Sequence, residues 1–272
     1  NPTFAQVKEF YDCHLHPDQI DLHDQEVYEN IFHNGQWVGI FQFTEGGAQK
    51  LAERTMPRSI VDLSAITSIY RPGPLSAGVD KAYIKAVANP DDVDYLNETV
   101  REVTEETYGF LIFQEQIAKL AYELGDDISM DEANLLRKIL TKKGTGKGHE
   151  AKEAIYDKFI SGCIQKDIDK RSAQELWQTF EYFSGYGFNK SHAVSYSIIS
   201  YQCAWLCTYY KAEWVASFLD KEPESRKEKA INLAKQHGYK IKPLNINYSE
   251  STWKIEGDDI LIAPLTGIKG FG

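Results

Sequence analysis

Two positively charged elements contain the side chains best suited to phosphate chemistry. The first is a predicted helix that begins at a Ser129–Glu132 capping box and has an apolar face from Leu135 to Leu140. Its remaining faces are basic and could contact a polyphosphate, whereas a solvated basic surface is the simpler alternative. The cationic side chains of this helix and its exit are Arg137, Lys138, Lys142 and Lys143.

The second element is the glycine-rich turn GYGFNKSH at residues 185–192. It leads into a long apolar helix, for which Asn189 or Ser191 is the expected N-cap. N–H groups at a helix start, next to Lys190 and His192, form a natural anion site, and a plain helix cap is the alternative. The turn is not a Walker loop, because Asn189 stands where that motif requires glycine.

Arg71 lies in the run YRPGPL at residues 70–75. Two prolines remove backbone donors and restrict the residues before them, so we predict a rigid extended turn and no helix. Such a turn fixes the direction of the Arg71 side chain, for which a surface ion pair is the alternative role. Glu115, between two glutamines, is expected to belong to a polar helix face.

Two groups of residues could bind metal ions. Asp91, Asp92 and Asp94 could clamp Mg²⁺, but their acidic surroundings favour a solvated linker. The second possible metal group lacks a recognised zinc spacing and comprises Cys13, His14, His16, Asp21 and His23.

Cys203 and Cys207 lie four residues apart on a predicted buried helix and are expected to be inert core thiols.

The composition limits the possible functions. The 272 residues include 40 Asp and Glu against 30 Lys and Arg, a formal net charge of −10. This charge argues against a stand-alone, strongly basic nucleic-acid binder, so any nucleic-acid site must be local. The four cysteines lack the spacing of a secreted disulfide framework and favour a reducing, intracellular setting. The uncharged stretch 193–210 carries serines and tyrosines, so we predict a helix buried in protein and no membrane span.

The remaining pattern predicts a mainly α-helical chain with minor β elements. Ser172 with Glu175 repeats the capping-box signal, and the long helix after residue 189 is expected to reach about residue 219. The run WVGIFQF at residues 37–43 predicts a short buried strand or extended segment. Residues 253–262 predict a small hairpin.

Five blocks, in this order, resemble the fingers region of the C-family replicative DNA polymerases of bacteria, the alpha subunits of DNA polymerase III. They are GIFQF at 39–43, YRPGPL at 70–75, ETYGFLIFQEQ at 106–116, LLRKILTKK at 135–143 and GYGFNKSHAVSYSIISYQCAWL at 185–206. The final run, LTGIKGFG, is similar to the start of that family's helix-hairpin-helix module, in which hairpin amides bind a DNA phosphate.

The resemblance implies a piece of a longer protein, divided into four parts. These are an acidic lead-in at 1–36, polymerase fingers at 37–220, a helical linker at 221–241, and a small β element with the truncated start of a helix-hairpin-helix module at 242–272. The lead-in carries seven acidic residues against one lysine, which is not the charge of a DNA-contacting surface.

The sequence departs from the family pattern at several positions. Lys138 replaces the usual second arginine of the LLRR run, and Thr141 replaces the usual glycine before the lysine pair. The family's three metal-binding aspartates belong to a palm upstream of the fingers, and neither of their sequence blocks is found in its proper place here. The run from Pro90 to Asp94 resembles one block only superficially, because it follows YRPGPL.

The resemblance implies part of a template-directed DNA polymerase that contributes no catalytic residue or metal ligand and is inactive alone. It would bind the incoming deoxynucleoside triphosphate and the template, with Mg²⁺ held by a palm in cis or in a separate chain. The expected setting is the cytoplasm of a bacterium or phage-infected cell, with primer–template DNA and replisome proteins as partners. The implied nucleotide-binding residues are Arg137, Arg71, Lys142, Lys143, Lys190, His192, Asn189 and Gln114, and the implied DNA-binding residues are Lys138, Lys269 and Gly270.

Two other functions stay open. A non-catalytic DNA-binding or regulatory module could keep the fingers shape and lose nucleotide binding. An independent metal-dependent phosphotransferase would use Asp91, Asp92 and Asp94, and would be active as the isolated chain.

Overall fold

A computed structural model describes residues 15–141, 148–184, 187–268 and 270. Over these ranges the protein is mainly α-helical with three short β-strands, which confirms the predicted fold class. The chain divides into two compact units: a central unit, Ile60–Ser197, and a terminal unit, which combines Asn1–Ser59 with Ile198–Gly272. The four-part division that the resemblance implies stays a prediction.

The helices of the central unit supply the side chains of interest. In chain order the helices are α1 (Gln25–Val27, followed by a π-helix at Tyr28–His33), α2 (Gly46–Thr55), α3 (Ile60–Ile69), α4 (Pro72–Ser76), α5 (Val79–Ala88), α6 (Glu98–Thr104), α7 (Gln114–Leu124), α8 (Met130–Thr141), α9 (His149–Gln165), α10 (Lys170–Ser184), α11 (Lys190–Tyr209), α12 (Lys211–Lys221) and α13 (Glu224–Gln236).

Apolar residues of α6 to α10 form one core in the central unit. Leu120 of α7 and Leu136 of α8 are fully buried in it, as their helical spacing predicts. The ring of Phe159 on α9 lies 5.4 Å from Trp177 and 5.2 Å from Phe180 on α10, between ring centroids. Leu135, predicted on the apolar face of α8, is 43% exposed, so that face is narrower than expected.

A buried glutamine fixes the chain that leads into α7. Gln116 is 4% exposed, and its Oε1 accepts hydrogen bonds of 2.9 Å from the backbone N–H groups of Ile112 and Phe113. Its Nε2 donates to Val103 O at 3.2 Å and to Thr107 Oγ1 at 2.8 Å. A buried polar group must be hydrogen-bonded, so this network ties the start of α7 to α6 and the turn after it.

The first predicted capping box is confirmed at the start of α8. The backbone N–H of Glu132 donates to Ser129 Oγ at 3.2 Å, and the backbone N–H of Ser129 donates to Glu132 Oε2 at 2.8 Å. This reciprocal pair satisfies N–H groups that have no partner within the helix.

The second predicted capping box is wrong, because α10 begins at Lys170, before Ser172. Asp169 precedes the helix, and its carboxylate accepts from Ser172 N at 3.1 Å and from Ser172 Oγ at 2.6 Å. A carboxylate at this position is also favoured by the helix dipole. Glu175, the expected partner of Ser172, instead accepts from Arg171 Nε at 2.9 Å.

The prediction that the YRPGPL run contains no helix is wrong, since Pro72–Ser76 forms α4. Both prolines lie in the first turn, where backbone N–H groups have no helical partner and the fixed φ of proline suits the helix. Arg71 itself is extended, with φ −143° and ψ 152°, as predicted for a residue before proline.

The predicted strand at residues 37–43 is also wrong, because this segment makes two consecutive turns. Ile40 N donates to Trp37 O at 3.4 Å and Phe43 N donates to Ile40 O at 3.1 Å. The turns require positive φ at Gly39 (74°) and Gln42 (67°). Trp37, Val38, Ile40 and Phe43 are buried as predicted, whereas Phe41 is exposed. Side chains of α12 and α11 satisfy the carbonyls: Trp214 Nε1 donates to Val38 O at 2.7 Å, and Ser200 Oγ donates to Phe41 O at 2.8 Å.

The long helix predicted to run to about residue 219 ends at Tyr209. Tyr210 has φ −136° and ψ 57°, which are not helical, and its carbonyl accepts from Trp214 N at 2.8 Å to begin α12. The sequence carries no proline or glycine here, so the break had no local signal. Among the described helices, none has both the length and the apolar character needed to cross a bilayer.

The acidic stretch around Asp91, Asp92 and Asp94, expected to be a solvated linker, contains regular structure. In the acidic stretch 89–106, Asn97 Oδ1 accepts from Val100 N at 2.9 Å and caps α6.

The terminal unit contains three strands: β1 (Lys240–Lys242), β2 (Lys254–Glu256) and β3 (Ile260–Ile262). The predicted hairpin is confirmed as the antiparallel pair β2 and β3, while β1 pairs parallel with β3 in the sheet order β1-β3-β2.

Candidate functional site

Backbone pairing brings the start of α7 next to the start of α11. Gln114 N donates to Phe188 O at 2.9 Å, and Phe188 N donates to Ile112 O at 3.0 Å, which makes a parallel bridge between residues 113 and 188. The Gln114 side chain adds a bond of 2.9 Å from Nε2 to Gly187 O. Residues 114 and 190 are therefore neighbours despite their separation along the chain.

Glu115 is the centre of the site. Its Oε1 accepts hydrogen bonds from Arg137 Nη1 at 3.2 Å and from Asn189 Nδ2 at 2.9 Å. Its Oε2 accepts from the backbone N–H of Lys190 at 2.9 Å, the first residue of α11. We call Glu115, Arg137, Asn189 and Lys190 the carboxylate cluster. The expectation of an ordinary polar helix face for Glu115 is therefore wrong.

Asn189 has two functions in this cluster. Its Oδ1 accepts from His192 N at 2.9 Å and from Ser191 Oγ at 2.7 Å, so the prediction of Asn189 as N-cap of α11 is confirmed. Its Nδ2 is turned toward Glu115. The same side chain thus orients the first turn of α11 and links it to α7.

A second carboxylate binds the Lys190 side chain. Lys190 Nζ lies 2.6 Å and 2.7 Å from the two oxygens of Glu106, and 5.5 Å from the centroid of the Phe113 ring. A small cleft of about 200 Å³ lies along this contact and is lined by charged groups of both signs. These are Glu102, Glu106, Glu115, Lys119 and Lys190.

Arg71 and His192 share one aromatic partner. The Arg71 guanidinium carbon lies 4.5 Å from the centroid of the Phe188 ring, a cation–π contact. The His192 ring meets Phe188 edge-on at 5.3 Å and lies 4.1 Å from the Tyr196 ring. Phe188 is one of the two residues of the backbone bridge, so it connects both side chains to the start of α7.

The structure thus brings together six of the eight predicted nucleotide-binding residues around Glu115 and Phe188. Lys142, Lys143 and Lys269 lie outside the described residues. Lys138 is exposed on α8, and Gly270 is exposed with φ +88°, and their assignment to DNA binding stays a prediction. The six residues that come together are Arg71, Gln114, Arg137, Asn189, Lys190 and His192.

Among the described residues, the candidate metal ligands are not grouped to hold an ion, and Cys13 and His14 lie outside those residues. Within the described ranges, no three His, Cys, Asp or Glu side chains are grouped to hold an ion, and Asp91, Asp92 and Asp94 lie within those ranges. Cys203 and Cys207 are buried, and burial raises their thiol pKa values to about 11 and about 12, as expected for inert core thiols.

Removing the Glu132 charge should destabilise the helix that carries Arg137, in a pH-dependent way. Hydrogen bonds from Lys158 (2.7 Å to Nζ) and Ser129 lower the Glu132 pKa from 4.5 to about 2. Because the folded-state pKa is depressed, the stabilisation is complete above about pH 4.5 and is lost as the pH falls toward 2. We expect Glu132→Gln to lower the melting temperature at pH 7, with the difference from the unmodified protein disappearing near pH 2.

Thermal unfolding from pH 2 to 7 tests this prediction, with Glu228→Gln, an exposed glutamate of α13, as the matched control. A Glu132→Gln difference that stays constant across this pH range would contradict it.

Comparison with known proteins decides the family. The sequence model described as "Bacterial DNA polymerase III alpha subunit finger domain" matches residues 1–167, more than half of the chain. The chain belongs to this family. The matched residues include Arg71, Gln114, Glu115 and Arg137.

Curated relatives of the DNA polymerase III alpha subunit finger family match over nearly the whole chain. DNA polymerase III subunit alpha of Aquifex aeolicus is 34% identical over 269 residues, which cover 98% of this chain and 22% of the relative. The protein of the same name from Rickettsia conorii is 37% identical and covers 88% of this chain and 20% of the relative. The Thermus aquaticus protein is 32% identical and covers 98% of this chain and 22% of the relative. The chain therefore spans about a fifth of the length of these relatives.

The ion pairs of Glu115 and Glu106 were not predicted, although both residues lie in the run ETYGFLIFQEQ that carries the resemblance. Their position in that block was the available signal. Their partners could not be read from the sequence, because Arg137 and Lys190 are 22 and 84 residues away from them, respectively.

Proposed function

We propose that this chain is part of a template-directed DNA polymerase and binds the incoming deoxynucleoside triphosphate beside the template. The observation that carries the proposal is the convergence of Arg137, Asn189 and Lys190 on one carboxylate, at a helix start, in a fingers-family chain. Guanidinium, ammonium and helix N–H groups are the usual protein ligands of phosphate. Two Mg²⁺ ions, held by palm aspartates outside these residues, would activate the primer 3′ oxygen and the leaving group.

The cations of the site would neutralise the charge of the bound triphosphate as it moves to the leaving pyrophosphate. A guanidinium can bind two phosphate oxygens at once, which makes Arg137 the first candidate for that contact. The side-chain pair between Lys190 and Glu106 keeps about a third of each side chain exposed, 32% and 35%. Such a pair adds little stability, so Lys190 can exchange its carboxylate partner for a triphosphate oxygen at small cost.

A primer-extension experiment tests the proposal. The 272-residue chain is mixed with a primed DNA template, the four nucleotides and Mg²⁺, alone and with an upstream palm-containing polypeptide from the same source. We expect extension only when the palm is added, because no metal ligands are grouped in the described part of this chain. Extension by the chain alone would overturn the dependence on a palm and direct attention to Asp91, Asp92 and Asp94.

No extension in either mixture, together with no nucleotide binding in a titration, would favour the non-catalytic module instead.

In a replicating cell the proposed setting is the cytoplasm of a bacterium or phage-infected host, with replisome proteins as further partners. The negative charge of the whole chain, −10, predicts weak and salt-sensitive DNA binding by the isolated 272 residues.

A further inference from the structure

We infer that Glu115 is a positioning residue of the nucleotide site: its carboxylate holds the Arg137 guanidinium and the first turn of α11 in the arrangement that receives a triphosphate. This inference rests on the proposed function and adds a role for a negatively charged residue, which would be expected to repel the substrate. Its basis is the set of three donors that meet on the two oxygens of one side chain.

The three donors come from two separate elements. Arg137 belongs to α8, whereas Asn189 and Lys190 belong to the start of α11. α8 packs closely against α7, and the guanidinium stands at the end of the long Arg137 side chain. The contact of Glu115 with Arg137 Nη1 fixes that end relative to the helix start.

Glu115 is itself held rigidly. It is the second residue of α7, between Gln114, whose backbone and side chain bond to Phe188 and Gly187, and the buried Gln116. Its side chain is 38% exposed, and that of Arg137 is 22% exposed. The carboxylate thus has a fixed base and a partly solvated end, which suits a group that orients other side chains beside a ligand.

Only a carboxylate satisfies this arrangement. All three neighbours present N–H groups, so both Glu115 oxygens must accept. A glutamine of the same shape has one acceptor oxygen and one NH₂ group, which would face a donor in either orientation. With the NH₂ toward Lys190 the helix start loses its acceptor, and with the NH₂ toward Arg137 and Asn189 those two groups lose theirs.

A guanidinium presents five N–H donors in a planar fork, and its contact with Glu115 is made by Nη1. The fork geometry allows one guanidinium to bridge a protein carboxylate and a phosphate. Loss of the Glu115 carboxylate should therefore weaken nucleotide binding through displacement of the Arg137 guanidinium, although the change removes a negative charge.

The test uses Glu115→Gln in the intact polymerase that contains this segment, with single-nucleotide incorporation measured at varied nucleotide concentration. We expect the nucleotide KM to rise about tenfold, with kcat changed less than about threefold and primer–template affinity unchanged. Glu123→Gln, an exposed glutamate on the same helix, is the matched control and should leave KM unchanged. An unchanged or lower KM for Glu115→Gln would overturn the inference, and a lower KM would identify the carboxylate as a competitor of the triphosphate.

A second comparison separates positioning from a structural role and from failure of the proposed function. If Glu115 acts through Arg137, Glu115→Gln should change KM much less in an Arg137→Ala background than alone. Fully additive effects of the two substitutions on KM would overturn the inference, even if Glu115→Gln also lowers the melting temperature. If Arg137→Ala changes kcat/KM less than twofold, the proposed nucleotide role of Arg137 is wrong. If Arg137→Ala has a large effect but Glu115→Gln has none, only the inference about Glu115 is wrong.

Discussion

Replacement of Gly162 by alanine should destabilise the central unit by about 3 kcal/mol. Gly162 lies within α9, where alanine is normally the better helix former by about 1 kcal/mol. An alanine Cβ at this position, however, would overlap the backbone of the turn after α7 at Leu124 O, Gly125 C and Asp126 N. All three obstacles are backbone atoms, so no side-chain rotation can relieve the overlap.

The turn cannot simply move away from α9. Asp126 N donates to Lys158 O at 3.0 Å, and the Asp126 carboxylate accepts from Gln165 Nε2 at 2.9 Å and from Ser161 Oγ at 3.3 Å. Displacement of the turn would break these bonds and shift the end of α7, whose Leu124 is fully buried in the core. The steric cost therefore exceeds the gain in helix propensity.

Urea unfolding followed by ¹⁹F NMR of 5-fluorotryptophan measures this effect, because Trp177 is the one tryptophan between residues 60 and 197. Gly46→Ala is the matched control, since Gly46 begins α2 and nothing lies within 4 Å of the added Cβ. We expect the control to differ from the unmodified protein by less than about 1 kcal/mol. Equal stabilities of the Gly162→Ala and Gly46→Ala proteins would show that the turn yields without cost.

The features predicted correctly from the sequence depend on residues close together in the chain. The Ser129–Glu132 capping box and the Asn189 cap each satisfy helix N–H groups within three residues, so side-chain type and spacing suffice. The same is true of the apolar spacing that buries Leu120 and Leu136.

The errors arise where tertiary contacts override a local pattern. The aromatic run at residues 37–43 has strand propensity, but its carbonyls are satisfied by Ser200 and Trp214 rather than by a strand. Proline normally breaks a helix, but the first turn of α4 tolerates the two prolines after Arg71. The contacts of Glu115 could not be predicted, because Asn189 and Lys190 become its neighbours only through the pairing of residues 113 and 188, and Arg137 only through the packing of α8 against α7.

Arg137→Ala in the intact polymerase should lower kcat/KM for nucleotide incorporation about 10- to 100-fold, which corresponds to about 1.5 to 3 kcal/mol. The guanidinium is the cation that the Glu115 carboxylate holds beside the start of α11, at 3.2 Å. Its removal would take away a charge-assisted contact to the triphosphate. The loss of that contact opposes nucleotide binding.

The measurement is steady-state incorporation of one nucleotide on a primed template, with Arg137→Lys and Arg54→Ala as companions. Arg137→Lys keeps the positive charge but loses the planar fork, so it should recover only part of the loss if bidentate contact matters. Arg54 is an exposed arginine in the last turn of α2, and its replacement should leave kcat/KM unchanged. A change below twofold for Arg137→Ala would remove Arg137 from the site. Full recovery of kcat/KM by Arg137→Lys would show that Arg137 acts as a point charge. The geometry around Glu115 predicts a different order: kcat/KM is lowest by far for Arg137→Ala, intermediate for Arg137→Lys and highest for the unmodified protein.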